Sequence, residues 1–201
     1  MIANTPGPTA KLAQFLSTLN LDDVPPRIVE RTKDLVLDHL GVALHSANLP
    51  WSKIVRDYAE ATGDKPESTL YGHPARVGRR VAALANGTAA HGIELDDTHD
   101  ESFSHPGTVV IPAALAVAEA RNATGRDFLT AVIAGYEAQC RAGAAATAAM
   151  SKGFHGTAVS GVFGAAAAVG RVLGLNVQQM TWALGIAATQ AAGLREMFGS
   201  M

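Results

Sequence analysis

Alanine occurs 38 times in this chain of 201 residues, 13 times among the first hundred and 25 times in the remainder. It is the strongest helix former and adds almost no side-chain bulk. With 20 glycines and only 5% aromatic residues beside it, the chain cannot fill a core with large side chains. Its helix backbones must instead approach closely through small-residue contacts. Apolar residues make up 48% and charged residues 17%, too apolar for a disordered chain. So little charge implies that part of the outer surface is covered by another domain or another copy. The expectation is an all-α, multi-helix domain occupying residues 1–201.

Several function classes fall away on charge and cysteine usage. Sixteen Lys and Arg stand against 18 Asp and Glu, net -2, so no nucleic-acid partner and no anionic-membrane partner is expected. Cys140 alone excludes a disulfide framework and a cysteine-based zinc cluster. No run approaches the roughly 20 apolar residues that span a bilayer. The nearest, residues 161–174, is interrupted by Arg171. No charged start followed by an apolar run opens the chain, which points to a cytoplasmic protein.

Apolar spacing predicts helices over residues 9–19, 26–45, 51–61, 77–90, 108–119, 127–150, 157–173 and 177–192, with Asn86-Gly87 as a possible break in the fourth. Residues 69–72 are the one strand-like fragment. Residues 91–107 have no apolar period and form a loop. The last residues, 194–201, run from an apolar helix into what reads as the start of a further element, and the chain reads as cut there.

Chemistry concentrates in that loop. Between Glu94 and His105 lie five carboxylates and two imidazoles. A solvated acidic turn capping the next helix is one reading. A divalent metal site is another, since carboxylate and imidazole suit Mg²⁺, Mn²⁺ or Zn²⁺, but no HExxH or EF-hand spacing is present. The favoured reading is an acid–base and substrate-positioning loop in which close carboxylates tune His105 and Asp96. Pro106 would hold His105 in extended geometry. The second constellation is Gly153-Phe154-His155-Gly156-Thr157, a histidine opening an almost uncharged helix. Helix-start N–H groups favour an anion and disfavour an imidazolium, so His155 is expected to be neutral. His91, near a helix end, carries little functional weight, and Cys140 reads as a small core residue.

The residues Asp38-His39-Leu40-Gly41, Asn86-Gly87-Thr88-Ala89-Ala90-His91, Leu95-Asp96-Asp97-Thr98, His105-Pro106-Gly107, Gly153-Phe154-His155-Gly156-Thr157 and Thr189-Gln190-Ala191-Ala192-Gly193-Leu194, in that order, resemble the N-terminal part of the MmgE/PrpD family. That family contains 2-methylcitrate dehydratase, cis-aconitate decarboxylase and iminodisuccinate epimerase. The resemblance implies a helical domain followed in complete members by an α/β lid domain, which this chain lacks together with an active-site lysine expected just beyond Met201. It implies a homodimer, no metal and no organic cofactor, and a small di- or tricarboxylate substrate. His105 and His155 match active-site histidines by this resemblance, with Glu94, Asp96, Thr98, Gly156 and Thr157 as substrate-binding positions. Glu94 stands where relatives often carry Asp. The implied activity is a carbon–oxygen lyase of the 2-methylcitrate dehydratase kind, working by proton abstraction next to a carboxylate. An epimerase or decarboxylase of the same family, a non-catalytic helical dimerisation module and a metal-dependent hydrolase are the alternatives.

Overall fold

The structure, a computed structural model, describes residues 7–197. In chain order the helices are α1 (Pro8–Thr18), α2 (Pro26–Ser46), α3 (Pro50–Ala61), α4 (Arg79–His91), α5 (Gly107–Arg121), α6 (Gly125–Ala145), α7 (Thr147–Met150), α8 (Gly156–Val172) and α9 (Val177–Ala188). Strands β1 (Ser68–Thr69) and β2 (Arg76–Val77) pair antiparallel, Ser68 opposite Val77. The fold is all-α apart from this ribbon, as the composition requires. Residues 198–201, the end of the segment expected to open a further element, lie outside the described residues.

Helix α5 is strongly apolar and closely enclosed. On α5, Val110, Ile111, Ala114, Ala116, Val117 and Ala118 are all buried, covering the helix circumference. A helix apolar all round has no face to give to water. It packs with Ala131 and Val132 of α6 and Ala168 of α8. Pro112 within α5 has no N–H to donate to the Thr108 carbonyl, and the Thr108 hydroxyl donates to the Gly87 carbonyl at 2.9 Å, tying α5 to α4.

Alanine does what its abundance predicts. Ala13 and Leu16 of α1, Ala134 and Ala138 of α6, Ala167 of α8 and Leu184 of α9 form one buried cluster. Where α6 crosses α8, a methyl group added to Gly164 would lie 2.6 Å from the Gln139 amide oxygen. Only a residue without Cβ lets the two backbones come that close.

The structure differs from the periodicity at four places. Helix α4 runs unbroken through Asn86-Gly87, because the Asn86 side chain is buried and occupied. Its Oδ1 accepts from the Tyr71 amide at 2.9 Å and its Nδ2 donates to the Thr69 carbonyl at 2.8 Å. The strand-like fragment begins one residue early and has a partner in β2, too short to show as a pattern. The helix expected over 127–150 breaks at Ala146 into α6 and α7, and the last long helix stops at Ala188. Cys140 is half-buried, and burial pushes its thiol up to about 11, so it is unreactive as well as small.

Candidate active site

Helix α4 delivers His91 in its last turn, where the helix dipole favours positive charge. The chain then turns sharply at Glu94, whose φ of 54° lies in the left-handed region that costs a non-glycine residue energy. Asp96 follows with a side chain 1% exposed. It accepts from His91 Nδ1 at 3.0 Å and lies 3.4 Å from His105 Nδ1. Glu94 closes the figure on the other side, 3.3 Å from His91 Nε2 and 3.8 Å from His105 Nε2. The imidazole rings of His91 and His105 stand edge to face with centroids 4.7 Å apart. Two imidazoles and two carboxylates thus alternate around one small ring of groups. The Asp96 hydrogen bond, outweighing burial, raises the His91 pKa above its ordinary value.

His105 is fixed from both sides. Asp97 accepts from the Gly107 amide at 2.8 Å and from the Tyr136 hydroxyl at 2.9 Å, capping the start of α5 and tying it to α6. Burial raises the Asp97 pKa, opposed by these two bonds. The His105 amide donates to the Thr157 hydroxyl of α8 at 3.0 Å. Helix α8 reaches the loop because Gly156 has no side chain. A Cβ there would run into the Phe103 carbonyl, and Phe103 itself sits at φ 47°. Gly156 therefore admits its own loop to the backbone, and it also lines the cavity beside His155.

His155 precedes α8 and joins His105, Glu94, Thr98, Phe103 and Arg195 in lining one open cavity of about 450 Å³. Burial, then the charges of His91 and His105, lowers the His155 pKa, which agrees with the expectation of a neutral imidazole. A second cavity, about 660 Å³ and rich in carboxylates, opens beside Asp34, Asp38 and Asp96 without reaching this histidine pair.

The structure gathers the positions expected from sequence, with divided roles. His105, His155, Glu94 and Thr98 face the cavity, whereas Asp96 and Thr157 are buried and hold His105 in place. Two contributors escaped sequence reading. His91 was discounted at a helix end, and its signal was the five-residue step to Asp96, close enough for a side-chain bond across a turn. Arg195 lay in the unassigned tail. His91, Asp96 and His105 offer ligand atoms all within 4.8 Å of one another, a donor set able to accept a divalent cation.

A helical layer that brings two imidazoles, one flanked by carboxylates, to a single open cavity can both give and take a proton there. The family model for the MmgE/PrpD N-terminal domain matches residues 10–201, and the chain belongs to that family. It is 35% identical over 201 residues, 92% of the chain, to a cis-aconitate decarboxylase-like protein of Aspergillus oryzae. It is 35% identical over 206 residues, 97% of the chain, to a cis-aconitate decarboxylase of Aspergillus terreus, and 33% identical over 190 residues to the human cis-aconitate decarboxylase. It spans 40%, 41% and 39% of those relatives' lengths.

Proposed function

We infer that this chain supplies the proton-transfer machinery of a lyase acting on a small tricarboxylate. The supporting observation is that His105 and His155 line one cavity together with Glu94 and Arg195. His105 has a carboxylate near each ring nitrogen, so its ring is held in place to pass on a proton. His155 has a lowered pKa at a helix start and is the neutral partner, able to accept one.

The relatives favour loss of CO₂ over loss of water. In decarboxylation of a β,γ-unsaturated acid the C–C bond to the departing carboxylate breaks. Its electron pair forms a new double bond, and the far carbon of the old one takes a proton. His105 is placed to give that proton, with water resupplying it. In dehydration, His155 takes the proton next to a carboxylate and the departing hydroxyl leaves as water on the proton of His105. Both routes use His105 as the proton donor, so the relatives' names, rather than the geometry, favour a cis-aconitate-like over a 2-methylcitrate-like substrate.

The test is turnover by the product of the complete gene, followed by proton NMR with cis-aconitate and 2-methylcitrate in parallel. One acid is expected to be consumed, with His105→Asn and His155→Asn each lowering kcat by about 10²–10⁴ at unchanged melting temperature. Activity should survive dialysis against a chelator. Loss restored by a divalent cation would move the chemistry to a metal held by His91, Asp96 and His105, and consumption of neither acid would sink the reading.

A further inference from the structure

The cavity is lined by two acids, Glu94 and Asp100, and one guanidinium, that of Arg195, together with His155 and the start of α8. Arg195 is brought there by a short lacing of two segments far apart in sequence. The His155 amide donates to the Gly193 carbonyl at 2.9 Å, and the Arg195 amide donates to the Gly153 carbonyl at 2.9 Å. Phe154 and Leu194 form a bridge between these two bonds. The guanidinium donates through Nη2 to the Met150 carbonyl at 3.0 Å. Among the described residues that is its one hydrogen bond, and no acid pairs with it.

Arg195 is exposed at the cavity, where its free donors are open to a ligand. The guanidinium presents five N–H donors in a planar fork that matches a carboxylate. One bond to a backbone carbonyl orients the fork and leaves most of it unused. The first turn of α8 adds to the same end. His155 at its N-cap makes no side-chain capping bond, so the first amides of this 17-residue helix keep their donor capacity. Glu94 and Asp100 repel an anion, so a polyanionic acid entering the cavity is best placed with one carboxylate on Arg195.

We propose that Arg195 is the carboxylate anchor of this site: its guanidinium takes a non-reacting carboxylate of the substrate and thereby turns the reacting carbon toward His105. The inference rests on the proton-transfer reading for the identity of the reacting end, but the anchoring itself is measurable without turnover. Bound there, the substrate carboxylate would also lie beside His155. Arg195 lowers the His155 pKa when the cavity is free, and an anion between the two would reverse that effect.

The experiment uses tricarballylate, a saturated tricarboxylate with no bond to break. Its binding is followed by NMR on the histidine ring protons of the whole chain, in the wild type, Arg195→Gln and Arg195→Lys. In the wild type the probe is expected to shift the His155 ring signals and raise the pH at which they titrate. Arg195→Gln should weaken binding by about ten- to a hundredfold, the range of a charge-assisted hydrogen bond, and cancel the titration shift. Arg195→Lys should recover part of the affinity, because charge is kept and the fork is lost. In the complete protein the same Arg195→Gln change should raise KM far more than it lowers kcat. Equal affinity in wild type and Arg195→Gln overturns the anchor while leaving the histidines' role intact. A loss that follows a fallen melting temperature, with no recovery in Arg195→Lys, assigns Arg195 to holding the Met150 turn instead, and a wild type whose His155 signals ignore the probe overturns the anchor as well.

Discussion

His39 illustrates how one buried side chain sets a pH limit for the whole domain. It sits in α2 with only its Nε2 near a partner, the Tyr71 hydroxyl at 3.3 Å. Burial holds its pKa down to about 4 from the ordinary 6.5, opposed by the nearby Asp96 charge. The unfolded chain binds this proton near pH 6.5 and the folded chain only near pH 4, so stability is full above 6.5 and falls as the pH drops through that window. The loss should be roughly 3 kcal/mol across it. Urea denaturation at pH 7 and pH 4.5 measures this, and in His39→Gln the difference between the two pH values should shrink markedly. An unchanged difference would assign the acid sensitivity to other groups. Sequence showed His39 only as part of a motif, because a helical period says which face is apolar and not how deep a polar residue lies within it.

At the scale of elements, the site depends on a loop seated between α4, α5 and α8. Its expected position in the chain was accurate, since a stretch dense in acids with no apolar period cannot be a buried helix. What stayed illegible was the seat. The Asp97 bonds to Gly107 and Tyr136 and the Thr157 bond to the His105 amide span 10, 39 and 52 residues, beyond the reach of any local pattern. Gly156, expected as a substrate-binding position, also gives clearance for the Phe103 carbonyl, a contact no local pattern shows. Gly156→Ala should therefore displace the loop. We expect a stability loss of about 1–3 kcal/mol, typical of overfilling a packed site, together with loss of tricarballylate binding. Measured stability and affinity both within error of wild type would show that the loop yields freely.

Across the whole molecule, the small-residue core is paired with a surface unusually rich in large apolar side chains. Leu37 is 72% exposed, Ile54 69%, Ile186 67% and Trp182 61%. The low charge read from composition has this as its structural counterpart. Among the described residues no helix is long and apolar enough to cross a membrane. The homodimer implied by the family resemblance would cover part of this surface, and light scattering should then return twice the 20.8 kDa of the chain. A strictly monomeric mass at high concentration would leave these faces to a partner of another kind. Composition foretold that something covers the surface, but not which helices carry the exposed residues, because that depends on which faces the core consumes.

The hydrogen bond from His105 to Thr157 also has a meaning in time. His91, Glu94, Asp96 and His105 are near neighbours along the chain, and their mutual contacts close short loops. His155 reaches them only after α8 has docked, across a separation of 52 residues between the bonded pair. Closing such a span is entropically harder and slower than closing a local turn. During refolding from urea, helical ellipticity should thus return first and tricarballylate binding last, so that the earliest helical species is a folded scaffold with an unfinished cavity. Stopped-flow traces of the two signals would separate them, and superimposable traces would mean that scaffold and cavity form in a single event.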